Sequence, residues 1–392
     1  QNFDLDAQFT GLRRRRPFDL VATATNAASI RGFAQRISST GTVSTLVQAG
    51  SVIYSWNGST TFTAVGTVSA SARLRGSRES NDTLNGYVII TDLEKAEPVK
   101  KWNGTTFETL AHNLSSAFYA KYCRVYNERA FFGNVTAGTA TPHVLMASKV
   151  GDSQNLNSSN RPASSLGLDE PWFLPTPDLR PINGLESGFG HLLISTLRGV
   201  VHLLKGSNSF DYELAEFYTG SAVVGDEAMV NVGNDVLFGL PARIESLSGT
   251  LDFGDVLTND VSLWINELVE SVTSWTLVYD RRRQRVLCFP SNQSACYVLH
   301  KSVLARVEHG FLTVRKQEPF ISPWSKWGTA HAMSFQPTCV MALVDPTTLE
   351  DTVYMGDGLG RIFKIDGNAG QDGGTSNITV KRTSKVYYLP YA

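Results

Sequence analysis

The segment YSWNGSTTF occupies residues 54–62, and KKWNGTTF repeats its centre at residues 100–107, with Trp56 and Trp102 standing 46 residues apart. Asn-Gly is the pair that most readily supplies the two positive-φ positions of a type I′ turn, whose twist matches the strands it joins. Each copy therefore predicts a β-hairpin. Val52, Ile53 and Tyr54 lead into the first and Thr61, Phe62 and Val65 leave it, while the second runs from Val99 to Leu110. Both flanks are the β-branched and aromatic mixture that suits a half-buried strand. One such hairpin fits any β protein, but a recurrence at about 40–50 residues is the spacing that four-stranded propeller blades leave in a sequence. Trp56, Asn57, Gly58, Trp102, Asn103 and Gly104 are thus read as repeat-turn residues.

The rest of the chain keeps this rhythm. Asn127 and Glu128 sit between the apolar runs Tyr122 to Tyr126 and Ala130 to Val135, Arg198-Gly199 divides HLLISTLRGVVHLLKG, and residues 280–284 divide SWTLVYDRRRQRVLCFP. A last hairpin is predicted in DTVYMGDGLGRIFKIDG, where Asp357, Gly358 and Gly360 turn the chain. Two segments break the pattern. Residues 151–184 are rich in Ser, Asn and Pro and predict a long excursion. In residues 259–272, Val261, Trp264, Ile265, Leu268, Val269 and Val272 follow helical spacing, with Asn259 or Asp260 as N-cap, and predict one amphipathic helix docked on the sheets.

The expected fold is an all-β propeller of six to seven blades, with that inserted helix and extended arms. The organisation predicted is an N-terminal arm over residues 1–45, the propeller over 46–367 and an extension over 368–392, in which KVYYLPYA could close a ring or add to another subunit's sheet.

Bulk properties narrow the function. In 392 residues, 42% hydrophobic against 18% charged with 33 glycines is the composition of short strands between turns, and the net charge of −1 argues against tight polyanion binding by the whole chain. Four cysteines, Cys123, Cys288, Cys296 and Cys339, form no CxxC pair and predict free, mostly buried thiols in a reducing compartment. No apolar run is long enough for a membrane-spanning helix. The Asn-x-Ser/Thr triplets at Asn57, Asn103, Asn134 and Asn377 are read as turn residues.

Chemistry-bearing patterns are sparse. Asp226 with Glu227, and Asp252 with Asp255, are the nearest candidates for a glycosidase-like carboxylate pair, in contexts common to turns. The histidines show no ligand spacing, and no cofactor or metal is expected. Two basic runs remain: Arg13, Arg14, Arg15 and Arg16 in a predicted arm, and Arg281, Arg282, Arg283 and Arg285 around a predicted hairpin tip. Such runs are usually solvated; the sharper reading is that the arm grips a partner subunit or faces DNA phosphates, and that hairpin tips gathered around a channel form a positive ring facing a polyanion.

Taken in order, LRPINGLESGFGHLLISTLRGVVHLLKG, VNVGNDVLFGLPARIESLSG, VYDRRRQRVLCFP, SPWSKWG and VYMGDGLGRIFKIDG resemble the β-propeller tail proteins of bacteriophages, in particular the nozzle or hub proteins of short-tailed phages, including those that stabilise packaged DNA. The resemblance spans roughly Ala120 to Gly367 and VLMASKVGDSQNLN fits its early part; the first hundred residues match more weakly. It implies a non-enzymatic virion subunit, assembled in the host cytoplasm as a homo-oligomeric, sixfold ring below portal and adaptor. Its partners would be copies of itself, tail adaptor and portal-associated proteins, tail fibres or other tail proteins, and, transiently, genomic DNA. The competing class is a carbohydrate- or receptor-binding propeller, an adhesin or lectin, whose exposed aromatics could be Trp172, Trp324 or Trp327; the opposing expectation makes these core or interface anchors.

Overall fold

The computed structural model describes residues 3–5, 12–14, 18–76, 83–84, 86–156, 169–208, 211–233, 235–247, 259–301, 323–328, 337–365, 371–372 and 376–377. Within them, seven antiparallel sheets follow one another as the blades of a β-propeller. Blade 1 comprises Ile30–Ile37, Val43–Ala49, Val52–Trp56 and Phe62–Thr67; blade 2 comprises Leu74–Gly76 continued by Thr83–Leu84, then Tyr87–Asp92, Lys100–Trp102 and Phe107–Thr109. Blade 3 is Phe118–Tyr126, Arg129–Ala137, Thr139–Ala147 and Trp172–Pro175, and blade 4 is Ile182–Gly188, His191–Thr196, Val200–Lys205 and Glu213–Thr219. Blade 5 is Met229–Asn231, Val236–Leu240, Arg243–Ser246 and Asn259–Asp260; blade 6 is Trp275–Asp280, Arg285–Pro290, Ala295–His300 and Trp324–Gly328.

Blade 7 takes three strands from the end of the chain, Cys339–Val344, Asp351–Gly356 and Arg361–Lys364, and its outermost strand, Asp19–Thr23, from the beginning. This pairing closes the ring. Phe18, fully buried, drives the closing strand home against Trp327 of blade 6, with ring centroids 5.8 Å apart. Gln35 of blade 1 completes the seam: its Nε2 donates to the Val344 carbonyl (2.8 Å) and its Oε1 accepts from the Val344 N–H (2.8 Å). The propeller therefore begins at Asp19, not at residue 46, and the expected arm of residues 1–45 is corrected accordingly. The segment KVYYLPYA lies outside the described residues.

The core is divided among the blade interfaces. Buried clusters join blades 1 and 2, 2 and 3, 3 and 4, 4 to 6, 6 and 7, and 7 and 1. The period-2 alternation of each strand sends one set of apolar side chains toward each neighbouring blade, so both faces of a sheet are buried. Each large apolar side chain buried this way contributes roughly 1.5–3 kcal/mol.

The two Trp-Asn-Gly turns occupy one structural position, the turn between the third and outermost strands of blades 1 and 2. They are not type I′: Gly58 (φ 83°) and Gly104 (φ 103°) are left-handed, but Asn57 and Asn103 are not. Instead the asparagine side chain caps the turn. Asn57 Oδ1 accepts from the Ser59 N–H (3.0 Å), and Asn103 Oδ1 accepts from the N–H groups of Thr105 (2.9 Å) and Thr106 (2.7 Å). A Cβ on Gly58 would stand 2.8 Å from Pro346 of blade 7, and one on Gly104 would stand 3.3 Å from Arg36 of blade 1. Each turn packs against the first hairpin of the preceding blade. Asn127 (φ 47°) and Glu128 (φ 56°) supply the paired left-handed residues that Asn-Gly was expected to provide.

Two further expectations are corrected. The excursion of residues 151–184 contains the outermost strand of blade 3, Trp172–Pro175, and the start of blade 4. The predicted helix reduces to a 3-10 turn, Leu263–Ile265, and one helical turn, Asn266–Val269, because Asn259–Asp260 is recruited as the outermost strand of blade 5. Val261, Ile265, Val269 and Val272 are buried as the stripe requires, but Leu268 is 47% exposed. In the final hairpin Gly360 is left-handed (φ 77°) while Gly358 is not, and Asp357 Oδ1 caps the turn through the Leu359 and Arg361 N–H groups (both 2.9 Å).

Candidate functional site

The propeller axis is where the blades bring remote residues together. Residues 220–228, entering blade 5, pass Gly225 at φ 124°, where a Cβ would lie 2.2 Å from the Trp275 carbonyl oxygen, so only glycine permits this course. The Leu277 N–H of blade 6 then donates to the Glu227 carbonyl (2.9 Å), fixing the segment at the axis. Glu227 faces Arg75 of blade 2, with Nε–Oε1 at 2.6 Å and Nη2–Oε2 at 2.9 Å. Blades 2 and 5 are not neighbours, so this bidentate pair crosses the channel. Its partners are 9% and 7% exposed. Burial alone would depress the Arg75 guanidinium; the Glu227 carboxylate outweighs it, and Arg75 stays charged.

Beside this brace, Asp226 is held by Lys121 Nζ (2.7 Å), the Tyr122 hydroxyl (3.1 Å) and, more distantly, Arg73 (3.7 Å). A second buried pair joins neighbouring blades: Arg124 of blade 3 donates through Nη2 to both oxygens of Glu186 of blade 4, at 2.9 and 2.7 Å. Cys339 of blade 7 lies close to Arg75 and Glu227; burial pushes its thiol up to about 12, Arg75 opposing and Glu227 reinforcing, so it is a neutral thiol and not a nucleophile.

Two small axial cavities flank the ion pairs. One, about 60 Å³, is lined by Arg124, Glu186, Val230, Tyr279, Met341 and Asp351 among others; the other, about 50 Å³, by Arg75, Lys121, Tyr122, Asn183, Asp226 and Met229 among others. Volumes of this size hold a few waters, well below the roughly 300–1,000 Å³ of a small-molecule pocket. A polymer cannot thread this axis.

Of the carboxylates singled out from sequence, Asp226 and Glu227 do meet at the axis, but each is engaged by cations; Asp252 and Asp255 lie outside the described residues. An acid–base role requires a group that changes protonation near the working pH. Both oxygens of Glu227 are instead taken up by the Arg75 guanidinium. What sequence reading missed is the other half of each pair: Arg73, Arg75, Lys121, Tyr122, Arg124 and Glu186. The available signal was period 2, since Arg124 follows Phe118, Ala120 and Tyr122 on the buried face of the strand Phe118–Tyr126.

The basic runs are dispersed. Arg281–Arg283 do form the first turn of blade 6, with Arg282 paired to Glu350 of blade 7 at 2.5 Å and both partners about half exposed. Arg285 belongs to the strand beyond and is buried, paired with Asp280 (2.8 Å) and stacked over Trp327 at 4.9 Å. Arg13 and Arg14 lie in Leu12–Arg14, which pairs with Phe3–Leu5, and the latter strand runs beside Trp324–Gly328 of blade 6; Arg15 and Arg16 lie outside the described residues. Trp172, Trp324 and Trp327 are 1%, 7% and 1% exposed and anchor blade interiors, so they are not sugar platforms. The four thiols are free, and three are buried. Among the described residues no His, Cys, Asp and Glu cluster could hold a metal ion, and no helix is long and apolar enough to cross a membrane.

The fold defines the chain as a seven-bladed β-propeller. Among solved structures it is similar to virginiamycin B lyase from Staphylococcus aureus, with a TM-score of 0.54, 12% identity, and coverage of 88% of this chain and 98% of the lyase. It is also similar to the extracellular domain of a one-component system from B. thetaiotaomicron, with a TM-score of 0.53 and 12% identity over 88% of this chain; it spans only 39% of that protein's length. At such identity these likenesses establish the fold alone. No family model matches the chain, and no curated protein matches it.

Proposed function

We propose that this propeller is a structural subunit of a phage tail, a nozzle or hub protein that assembles with copies of itself into a ring below the portal and adaptor and helps retain and then deliver the genome. The sequence resemblance over residues 120–367 suggests the reading, and one structural observation supports it most. The longest connections between successive described strands of the blades, residues 148–171 and 301–323, join third and outermost strands, whose counterparts in blades 1 and 2 are only residues 57–61 and 103–106, and all leave from the same face. Both chain ends leave blade 7 at that position too, since Asp19 pairs with Lys364. The turns between second and third strands stay short, none longer than residues 93–99. A rigid disc with variable extensions on one side is built to contact other proteins.

The braced axis adds a constraint. DNA passing through the assembly runs between copies, along the axis of the ring, and never through a propeller. Co-expression with the adaptor, followed by imaging of the complex, tests the reading. The expected result is a closed ring of propellers around a DNA-wide opening; a monomer that joins neither itself nor the adaptor refutes it. Particles lacking the protein should lose packaged DNA.

A further inference from the structure

Among the described residues five exposed leucines lie on the face opposite the longest connections; Leu359 stands alone on the blade 7 turn, and the other four fall into two groups. The first group sits at blade 4. Leu179 (65% exposed) and Arg180 lie on the connection of residues 176–181, and Leu197 (57% exposed) and Arg198 on the turn between the blade's second and third strands. The two turns are tied together: the Leu197 N–H donates to the Pro181 carbonyl (3.0 Å), and Thr196 Oγ1 donates to Asp178 Oδ2 (2.7 Å). Leu179 is held at φ 52°, a conformation that costs a leucine energy and that presents its side chain to solvent rather than to the core.

The second group lies on the connection of residues 261–274 between blades 5 and 6. There Leu263 (66% exposed) and Leu268 (47% exposed) stand with exposed Glu267 and Glu270, while Val261, Ile265, Val269 and Val272 of the same segment are buried. The segment is fixed on blade 6 by Gln293 Nε2 and the Tyr297 hydroxyl, which donate to the Leu268 carbonyl at 3.0 and 3.2 Å. Among the described residues the side chains of Arg180, Arg198, Glu267 and Glu270 make no ion pair, Glu267 standing in the first turn of the short helix Asn266–Val269.

One patch thus offers two leucines with two arginines, and the other offers two leucines with two glutamates. We propose that the arginine–leucine patch of one copy docks on the glutamate–leucine patch of a second copy of this chain. Both patches look out from the same face, so two copies that meet face to face about a two-fold axis satisfy both pairs at once, the arginine–leucine patch of each lying on the glutamate–leucine patch of the other. Leucine burial supplies the affinity, and the charges set partner and register. This inference goes beyond the reading of the chain as a ring subunit: it names a contact that pairs two copies face to face.

The test uses the full chain, alone and with the adaptor, by mass photometry and sedimentation. R180E/R198E and E267R/E270R should each fold with unchanged circular dichroism, since the replaced side chains are exposed. Each should weaken self-association about tenfold or more, and an equimolar mixture should recover association to within about threefold of wild type, because every mixed contact again pairs opposite charges. Variants that assemble as wild type, or a mixture that fails to recover, overturn the contact and leave the ring reading standing. A wild-type chain that never assembles, alone or on the adaptor, overturns both.

Discussion

Glu227→Ala removes one half of the brace across the axis. Arg75 would remain in place, 9% exposed, with two of its guanidinium nitrogens deprived of their carboxylate and only the Arg31 (2.7 Å) and Leu74 (3.2 Å) carbonyls left as partners of Nη1. Breaking a buried pair from one side costs about 3–5 kcal/mol, because the surviving charge stays desolvated. For 392 residues, at about 2.1 cal/mol/K of unfolding entropy per residue, that corresponds to a fall in Tm of roughly 4–6 °C. The double variant Arg75→Met/Glu227→Leu should recover most of the loss, since replacing both partners with apolar groups of similar volume is often neutral or better. Differential scanning fluorimetry and urea unfolding read both. If Glu227→Ala melts within about 1 °C of wild type, or if the double variant falls as far as the single one, the ion pair does not brace the axis.

Deleting residues 1–24 removes Phe18 and the strand Asp19–Thr23, and should abolish cooperative unfolding by opening blade 7, whereas deleting residues 1–16 should leave a cooperative transition; circular dichroism melts separate the two. Gly104→Ala, forced to φ 103° with its Cβ 3.3 Å from Arg36 and Ser44, should destabilise by about 1–3 kcal/mol, and Asn103→Ala by about 1 kcal/mol through loss of the cap, both measured by urea midpoint. Burial would raise the Asp345 carboxyl, but Lys364, the Thr348 and Thr347 N–H groups and the Tyr354 hydroxyl outweigh it and hold it at about 2. The folded value lies below the ordinary carboxylate value, so this stabilisation is present above about pH 4 and lost as pH falls toward 2. Asp345→Asn should therefore be less stable than wild type at neutral pH and converge on it in acid.

The blade rhythm was legible because it is local. A strand of four to six residues, its alternation and its turn are contiguous in sequence, so WNGSTTF and WNGTTF announce their hairpins without any distant partner. The resulting turn was still misassigned: whether Asn57 takes a left-handed conformation or caps the turn with its side chain depends on the first turn of blade 7, whose Pro346 crowds Gly58. Similarly, Val261, Ile265, Val269 and Val272 of the expected helical stripe are buried while Leu268 is exposed, and the expected cap, Asn259–Asp260, is claimed by blade 5, a contest between helix and sheet that only the neighbouring strand Arg243–Ser246 decides.

The axial site divides the same way. Asp226 and Glu227 could be noticed from sequence as adjacent acids, yet their chemistry is set by Arg75, Lys121 and Tyr122, more than a hundred residues upstream and brought across by the closure of the ring. What the amino-acid order determined by itself is short-range: strand, turn and face, each settled by a few neighbouring φ, ψ and burial choices. The number of blades, the N-terminal strand that completes the last of them, and the pairing of acids with arginines across the axis follow from closure, and a closed ring has no representation in any single stretch of the chain.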